Sequence, residues 1–470
     1  MSVVTGAEVA EREPATERDA SGSGGRAPHR VLIVGGGFAG VQTAQALEKR
    51  LGDRTDVEIW LVNQDNFMLF TPLLPEVCSG HLEPRHVVSP LRSMVRRPST
   101  WCITADVERI SLQDRIVTVL GGDGDLHRLR WDTLVLALGG ETATFGITGL
   151  EQHAVGMKTL ADAFSLRNRL IEMLERAELE EDPAERQAQL TFVVGGGGFS
   201  GVETAGEMED FIHHVRKRYY PKIGDHEIRA YLVELKDALL PEMPSKMGRY
   251  ARRKLEQRGY QVLLGTPIKE VHEADVVLGD GRTIPTRTVV WTGGVRPAPL
   301  VAESGVECDH AGRALVRPTM ETSAAGVFAI GDCAWIPRPN GDASAYAPTA
   351  QNAVREGKQL ADNILARIEA RELRPFRYET IGTLASIGGH TGVGVVFGVK
   401  VRGWIAWFMW RGYYWSRVPG FNRKVRVGID WLLTALFGAD PVQLKVEDAR
   451  SALGSSGRRR PPVQTDVSRQ

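Results

Sequence analysis

The sequence predicts an α/β protein in which one βαβ unit occurs twice, the second copy lying within the first. A short apolar run, a glycine-rich turn and a helical pattern follow one another at Val31 and again at Leu190. Each copy then continues into another apolar run, at residues 57–62 and 228–233. This order is typical of Rossmann-like dinucleotide-binding domains. We therefore expect two such domains, followed by a C-terminal amphipathic membrane-anchoring region.

The bulk composition excludes several classes of protein. A chain of 470 residues is too long for one hydrophobic core, and its 42% hydrophobic and 25% charged residues are ordinary for a globular protein. The formal net charge is zero, so nucleic acid is not an expected partner. No C-x-x-C pair occurs, so neither a disulfide framework nor a dithiol centre is predicted, and no metal site is predicted. The cysteines are Cys78, Cys102, Cys308 and Cys333.

Composition and pattern divide the chain into five segments. The two ends are rich in polar and small residues, and the N-terminal end has no apolar signal-peptide core, so both are expected to be disordered. These tails are residues 1–28 and 446–470. The body is assigned to a discontinuous first dinucleotide-binding domain at 29–158 and 295–377, a second at 159–294, and a C-terminal membrane-associating region at 378–445.

Further runs support the duplication. Residues 116–119 and 131–138 are expected to be strands that close the first unit, and the charged stretch 159–188 is expected to be a connecting helix. A strand that ends in two glycines occurs in both units, at Gly139 in the first and at Gly293 and Gly294 in the second. The repetition therefore extends beyond the glycine turns.

The first glycine turn predicts a phosphate-binding site. Gly35, Gly37 and Gly40 fall in G-x-G-x-x-G register between a strand and a helix. Gly35 permits the tight turn, Gly37 lets the backbone approach a pyrophosphate, and Gly40 lets the helix pack on the strand. The helix N-terminus then offers free N–H groups to the phosphates.

The second turn contains one glycine more, so its register is ambiguous, and we prefer Gly196, Gly198 and Gly201. The following strand ends at Glu234, whose carboxylate can accept both ribose hydroxyl protons of NADH and repel the 2′-phosphate of NADPH. A solvated glutamate at a strand end is the alternative. The spacing from Gly201 to Glu234 exceeds the usual one, which we attribute to a longer helix and a loop around residues 219–226.

Two other strand ends carry candidate ligands. Asn63 stands in the first unit where Glu234 stands in the second, and its amide can still hydrogen-bond a ribose hydroxyl. Asp332 ends the run 327–332 after Gly331 and is placed to bind a polyhydroxylated chain such as ribitol. A capping or turn aspartate is the alternative for Asp332.

At this point the sequence resembles a known family, the type II NADH dehydrogenases, which are single-chain NADH:quinone oxidoreductases of the two-dinucleotide-binding-domain flavoprotein group. The similarity covers roughly His29 to Leu444. It rests jointly on six motifs, which lie at residues 35–40, 67–75, 196–203, 291–296, 329–333 and 350–357.

The resemblance implies a bound FAD, NADH as substrate and a membrane quinone as acceptor. Thr71, Pro72 and Leu73 are implied to lie along the flavin, Gly139, Gly331 and Asp332 to bind FAD with the first turn, and Gly293 and Gly294 to bind NADH with the second. Ala350 and Gln351 are implied to lie at the quinone. Glu203 is implied to lie near the flavin as a proton donor or nicotinamide contact; a first-turn helix glutamate favoured by the macrodipole is the alternative.

Two positions depart from the family pattern. The family usually has Gln where this chain has Glu356, and often Lys where it has His390. Both are expected near the flavin or the quinone. A histidine there could still donate a proton, although a lone histidine more often has a structural role.

The C-terminal region combines cations with aromatic residues. Residues 400–426 contain seven Lys or Arg and no Asp or Glu, and five tryptophans lie in or beside this stretch: Trp404, Trp407, Trp410, Trp415 and Trp431. Val425, Ile429, Leu432 and Leu436 recur at helical spacing. These features predict an anchor on the bilayer surface, with the protein peripheral on the cytoplasmic face of the cell membrane. A homodimer interface or a core-capping helix pair is the alternative.

The expected function is FAD-dependent oxidation of NADH with two-electron reduction of a membrane quinone, without proton pumping. Two alternatives stay open. A sulfide:quinone oxidoreductase would need cysteines beside the flavin, for which Cys78, Cys308 and Cys333 are candidates. An NADH-responsive flavoprotein redox sensor would have a defective acceptor site, and Glu356 and His390 are the features that suggest one.

Overall fold

The structure, a computed structural model, describes residues 27–339, 344–379 and 382–444. Two mainly parallel β-sheets flanked by helices form its body, and a small antiparallel sheet with two helices follows them. The predicted α/β class is confirmed. Apart from residues 27 and 28, both predicted tails lie outside the described residues.

The helices and strands are numbered in chain order. Through residue 155 they are β1 (His29–Val34), α1 (Phe38–Leu51), β2 (Val57–Asn63), β3 (Phe67–Leu69), α2 (Leu74–Cys78), β4 (Val88–Pro90), α3 (Leu91–Met94), β5 (Thr100–Ser111), β6 (Ile116–Gly121), β7 (Leu126–Arg130), β8 (Thr133–Leu136), β9 (Gly140–Thr142), α4 (Leu150–His153) and β10 (Ala154–Val155). Between residues 160 and 291 they are α5 (Leu160–Leu179), α6 (Pro183–Gln189), β11 (Thr191–Gly195), α7 (Phe199–Tyr219), β12 (Arg229–Val233), α8 (Ser245–Gln257), β13 (Tyr260–Leu263), β14 (Ile268–Val271), β15 (Asp275–Leu278), β16 (Thr283–Pro285) and β17 (Thr288–Trp291). From residue 295 they are β18 (Val295–Pro297), α9 (Leu300–Glu303), β19 (Ala314–Leu315), β20 (Val327–Ala329), β21 (Ala334–Trp335), α10 (Ala350–Ile368), β22 (Gly382–Ser386), β23 (Gly392–Val396), β24 (Val399–Gly403), α11 (Trp404–Arg417) and α12 (Phe421–Phe437).

The first sheet is built from two separate stretches of the chain. Its order is β20-β8-β1-β2-β5-β6-β7, and the strands from β20 to β5 run parallel. Its central strands are buried apart from the first two residues of β1, as is typical of apolar runs in a parallel sheet that is covered on both faces. The run 116–119 was expected to close the parallel unit, but it forms β6, which pairs antiparallel with β5 and extends the edge. A turn too short for a crossover joins β5 to β6, so only antiparallel pairing is available.

The second sheet is wholly parallel, with the order β10-β17-β11-β12-β13. Its first strand, β10, lies at residues 154–155, before the expected boundary at 158. The stretch 159–188 was expected to be one helix, but it forms α5 and α6. The break occurs where Asp182 caps α6 by accepting the Ala184 N–H at 3.0 Å, with Pro183 in the first turn.

The helices beside the sheets pack closely at glycines. On α10, a Cβ added at Gly357 would lie 2.6 Å from the carbonyl oxygen of Ala39 on α1, so glycine lets these two helices touch. On α7, a Cβ added at Gly206 would lie 2.3 Å from the carbonyl carbon of Ile387, in the turn after β22. The small C-terminal sheet is therefore held directly against the second unit. Within the described ranges, no helix is both long and apolar enough to cross a membrane.

Candidate active site

The first glycine turn has the geometry of a phosphate cradle. Gly35 has a φ of +111°, and a Cβ there would lie 2.1 Å from the carbonyl oxygen of Ala137. A Cβ at Gly40 would lie 1.9 Å from the Gly35 carbonyl oxygen. Gly37, in contrast, has no protein atom within 4 Å of the place its Cβ would take. Protein packing therefore requires two of the three glycines, and the third leaves an open face.

The second turn repeats this geometry. Gly196 has a φ of +109°, and a Cβ at Gly201 would lie 1.8 Å from its carbonyl oxygen. Gly198 faces open space as Gly37 does. Gly196, Gly198 and Gly201 therefore correspond to Gly35, Gly37 and Gly40, which is the register that we preferred.

The residues at the ends of β2 and β12 each bind the turn beside them. The Gly36 N–H donates to Oδ1 of Asn63 at 2.7 Å. In the second unit the Gly197 N–H donates to Oε2 of Glu234, and the Lys236 N–H donates to Oε1 of Glu234 at 2.7 Å. The long spacing before Glu234 comes from α7 and the loop after it, as expected. Glu234 is buried rather than solvated, which contradicts the alternative of an exposed strand-end glutamate.

Both turns lead into helices whose N-termini have free hydrogen-bond donors. Neither α1 nor α7 has a side-chain cap or an acidic residue in its first turn. Their first N–H groups and the positive end of the helix dipole remain available to an anion. The open faces at Gly37 and Gly198, together with these N-termini, fit two dinucleotide pyrophosphates.

Glu203 lies beyond the first turn of α7, so the alternative of a first-turn glutamate is wrong.

A cavity of about 1020 Å³ joins the two units to the C-terminal region. It is large enough for a cofactor and a substrate together. Among the residues that line it are Phe38, Thr71, Pro72, Lys158, Phe199, Glu203, Thr292, Gly294, Asp332, Ala350, Gln351, Leu384, Tyr413, Tyr414 and Arg417. Predicted candidates from five separate segments of the sequence thus meet in one space.

Asp332 faces this cavity beside a cation that the sequence did not single out. Gly331 has a φ of +76° and turns the chain after β20. Oδ2 of Asp332 then lies 3.7 Å from Nζ of Lys158, which also lines the cavity. Lys158 stands just before α5 without any motif around it, so only the folded chain brings it to Asp332.

Three residues that were expected beside the flavin or the quinone do not line the cavity. Leu73 is fully buried in the hydrophobic core. Glu356 is also buried, where Oε2 accepts the Gly331 N–H at 2.7 Å, and burial raises its pKa to about 7. His390 lies outside, with a φ of +57° and its ring 4.7 Å from that of Trp407. For Leu73 the sequence pattern indicated the segment correctly but not the direction of the side chain, whereas none of residues 387–390 is among the residues that line the cavity.

Glu203 is a buried carboxyl group at the edge of the cavity. It is 7% exposed, and its Oε1 accepts the indole N–H of Trp410 at 2.7 Å and the Ser386 N–H at 3.1 Å. Burial raises the pKa of Glu203 to about 8, although both hydrogen bonds oppose the shift. The group is therefore mostly protonated at neutral pH and can act as an acid.

Other ionisable groups gather around Glu203, and the sequence did not reveal them. Glu207 lies one turn further along α7, and its Oε2 is 2.7 Å from Nδ1 of His81. Glu76 on α2 accepts the indole N–H of Trp431 at 2.7 Å, and burial raises its pKa to about 7, against the charge of Arg411. No local pattern marks these residues, because the contacts join positions more than a hundred residues apart.

The C-terminal helices divide their aromatic residues between two faces. Trp410 is buried and Trp431 points inward to Glu76, so assigning these two rings to a membrane interface was wrong. Arg411 also turns inward, over the rings of Trp407 and Trp431. The outer face is strongly apolar, and its exposed residues are Trp404, Ile405, Phe408, Trp415, Phe421, Val425, Ile429, Leu432, Leu433, Leu436 and Phe437.

Comparison with known proteins identifies the family. Residues 29–357 match the pyridine nucleotide-disulphide oxidoreductase family, and residues 381–440 match the NDH2 C-terminal domain. The internal alternative NAD(P)H-ubiquinone oxidoreductase A1 of Arabidopsis thaliana mitochondria is 32% identical over 87% of this chain and 85% of its own. The type II NADH:quinone oxidoreductase Ndh of Mycobacterium tuberculosis is 31% identical over 87% of this chain and 88% of its own.

Solved structures share the fold. The structure of NDH2 from Plasmodium falciparum in complex with NADH has a TM-score of 0.81 at 20% identity and covers 88% of this chain and 99% of that chain. The sulfide:quinone oxidoreductase of Aquifex aeolicus has a lower TM-score, 0.65, at 17% identity, covering 88% of this chain and 96% of that one. The family resemblance inferred from the sequence motifs is confirmed, and the chain belongs to the type II NADH dehydrogenases, the single-chain NADH:quinone oxidoreductases.

Proposed function

We propose that the chain oxidises NADH through a bound FAD and reduces a membrane quinone by two electrons, without pumping protons. One observation carries the proposal. A single cavity is lined by residues of both nucleotide-binding units and of the C-terminal helices, and it contains Glu203, Asp332 and Gln351. Electron donor, cofactor and acceptor can therefore meet in one space.

The first unit has the groups that FAD needs. The open face at Gly37 and the N-terminus of α1 suit the pyrophosphate, and Asp332, beside Lys158, suits the ribitol. Thr71 and Pro72 line the cavity where the flavin ring would lie. When bound, FAD accepts a hydride from NADH and yields two electrons to the quinone, a chemistry that side chains alone do not supply.

The second unit has the groups that NADH needs. Gly198 and the N-terminus of α7 suit its pyrophosphate, while Gly294 lines the cavity toward the first unit. Both carboxylate oxygens of Glu234 bind backbone N–H groups, which fixes the side chain, and each keeps a lone pair for a ribose hydroxyl. The fixed negative charge disfavours a 2′-phosphate, so NADH is the expected donor.

The part of the cavity at the start of α10 suits the quinone. Ala350 and Gln351 begin α10, and the Nε2–H of Gln351 donates to the Gly382 carbonyl at 3.3 Å, which orients its amide. Glu203 lies at the same edge with a proton to give. We assign Gln351 to binding the quinone and Glu203 to proton donation. Glu356, buried behind Gly331, acts only through the backbone that carries Asp332.

The apolar outer face of α11 and α12 is proposed to lie on the lipid bilayer, on its cytoplasmic side. Val425, Ile429, Leu432 and Leu436 form an apolar stripe along α12, all exposed. An exposed apolar face with exposed cations beside it, such as Arg417 and Arg426, fits an anionic membrane surface. A homodimer is the other use that such a face allows.

Sulfide oxidation is less well supported. Such chemistry needs cysteines at the flavin, but Cys78 and Cys333 are buried and hydrogen-bonded to carbonyl oxygens, and no cysteine is among the described residues that line the cavity. Steady-state assays separate the candidates. NADH consumption with a soluble quinone supports the proposal. Quinone reduction by sulfide instead favours the sulfide:quinone oxidoreductase. A flavin that NADH reduces without turnover favours the redox sensor.

A further inference from the structure

A row of ionisable side chains leads from the cavity along one face of α7. Glu203, Glu207 and Asp210, here called the α7 row, are spaced by four and then three residues, which places them on the same side of the helix. Glu207 is deeply buried, and His81 lies against it, with Nδ1 2.7 Å from Oε2 of Glu207. The His81 side chain is 25% exposed, so it connects the buried row to water.

Quinone reduction by NADH creates a demand for one proton at the buried end of this row, if the proposed function holds. In the overall reaction, NADH, one proton and a quinone give NAD⁺ and a quinol. The hydride supplies two electrons and one hydrogen, so the second hydrogen of the quinol comes from water as a proton. Glu203 can give that proton, but it is only 7% exposed and faces the cavity that flavin and quinone would fill, so it needs another route for taking a proton from solvent.

We propose that His81 and Glu207 carry a proton from water to Glu203 in each turnover. Protonated His81 gives up its Nδ1 proton to Oε2 of Glu207, which breaks an N–H bond and forms an O–H bond. Glu207 then passes the proton to the Glu203 carboxylate, which has just lost its own to the reduced quinone. Neutral His81 takes a new proton from water. Side chains one helical turn apart have Cβ atoms about 5–6 Å apart, a separation that a bridging water molecule can span between two carboxyl groups.

The charges around His81, Glu207 and Glu203 determine which of these groups is protonated before each turnover. Burial would lower the pKa of His81, but the charge and hydrogen bond of Glu207 outweigh it and raise the pKa to about 9. Burial would raise the pKa of Glu207, but His81 and Ser79 keep it below its ordinary value. At neutral pH the resting row therefore holds a proton on His81 and another on Glu203, with Glu207 ionised between them.

Several other groups face the row, but among the described residues His81 alone is both hydrogen-bonded to Glu207 and partly exposed. Asp210 is tied to Arg258 and to the Gly389 N–H, each at 2.6 Å, so it serves to hold the turn after β22. Glu76 is almost fully buried. The remaining facing groups are Arg411 and Tyr414 from α11, Trp431 from α12, Tyr260 from β13, Cys78 from α2, Arg167 from α5, and Glu209 and His214 from α7.

The relay is tested in the FAD-containing protein by anaerobic stopped-flow absorbance. His81→Ala and Glu207→Gln should leave flavin reduction by NADH within about twofold of wild type and slow reoxidation by a soluble quinone about tenfold or more. Added imidazole should restore reoxidation in His81→Ala, because a diffusing base replaces the lost ring, and should not restore it in Glu207→Gln. His86→Ala is the matched control, since His86 also pairs with a carboxylate, Asp430 at 2.5 Å, outside the row.

Histidine NMR gives a readout that does not depend on turnover. The ring of His81 should titrate near pH 9 in the wild type and at a lower pH in Glu207→Gln. If His81→Ala does not fold, His81→Gln takes its place in both half-reactions, without the imidazole arm. Reoxidation that is unchanged, or that slows equally in the His86→Ala control, overturns the relay. A wild-type flavin that no quinone reoxidises overturns the proposed function as well.

Discussion

The indole N–H of Trp410 donates to Oε1 of Glu203 at 2.7 Å. This bond joins α11, whose opposite face is exposed and apolar, to the carboxyl group at the edge of the cavity. A hydrogen bond to the ionised form of an acid lowers its pKa, so Trp410 limits how far burial raises the pKa of Glu203. The proposed membrane helix therefore also sets the acidity of the proposed proton donor.

Trp410→Phe should raise the pKa of Glu203 above its value of about 8, by about one unit. Only the protonated acid can donate, so the rate of flavin reoxidation by quinone should fall as the pH rises through that pKa. In the variant this fall should move to higher pH, which stopped-flow measurements across a pH series can follow. Trp431→Phe removes the bond to Glu76 instead and should move the fall less. If the pH at which the reoxidation rate falls is unchanged or lower in Trp410→Phe, the assignment of Glu203 as the proton donor is contradicted.

Glu234→Gln should relax the discrimination between NADH and NADPH. The amide oxygen can still accept the Gly197 N–H, as Asn63 accepts the Gly36 N–H in the first unit, so the glycine turn should keep its shape, while the bond from the Lys236 N–H is lost. The loss of negative charge should lower KM for NADPH about tenfold, while KM for NADH rises modestly. Steady-state kinetics with both donors measure the ratio. As a control, Glu256→Gln removes an exposed charge from α8 and should leave the ratio of the two KM values unaltered. If the ratio in Glu234→Gln equals that of the wild type, Glu234 does not select NADH.

The open and the packed glycines should respond differently to alanine. Gly40→Ala would place a methyl group 1.9 Å from the Gly35 carbonyl oxygen, so it should destabilise the flavin-free protein by about 2 kcal/mol or more. Gly37→Ala meets no protein atom and should cost less than about 1 kcal/mol of stability. It should nevertheless lower the amount of FAD that the protein binds. Gly198→Ala should instead raise KM for NADH with FAD retained. Thermal unfolding and flavin absorbance test this, and equal destabilisation by Gly37→Ala and Gly40→Ala would refute the cradle.

Membrane binding should depend on the apolar stripe of α12. Deleting the chain from Trp404 onward would be an ambiguous test, because it also removes the buried Trp410. The double variant Leu432→Glu, Leu436→Glu changes only exposed positions, so the fold should survive while co-sedimentation with anionic vesicles falls about tenfold or more. Leu179→Glu, at another exposed site, on α5, should sediment as wild type. A dimer that becomes monomeric, with vesicle binding retained, would assign this face to a subunit interface.

Local signals explain what the sequence could predict. The glycine registers, the strands beside them and the candidates Glu234 and Asp332 follow from short patterns, since a turn between strand and helix needs particular residues at particular steps. The apolar stripe was equally visible, because helical spacing alone puts its members on one face. Gln351 and Glu203 were reached through the family resemblance, and both line the cavity.

Long-range contacts explain what it could not predict. Glu207 and His81 lie far apart in the chain, and nothing around either residue marks a partner. Trp410 and Trp431 were misjudged because composition shows how many aromatic rings a helix has but not which face carries them. His390 was expected at the cavity, but its positive φ in the turn before β23 directs the ring toward Trp407. Such directions follow from tertiary packing rather than from local pattern.

An anaerobic titration of the purified yellow protein tests the whole scheme of electron flow. NADH is added while the absorbance of oxidised flavin is followed, and a soluble quinone is added after the colour is lost. One equivalent of NADH should bleach one flavin, and the quinone should restore the absorbance with one quinol formed for each NADH oxidised. A flavin that NADH does not bleach, or a bleached flavin that quinone leaves reduced, would contradict the proposed function.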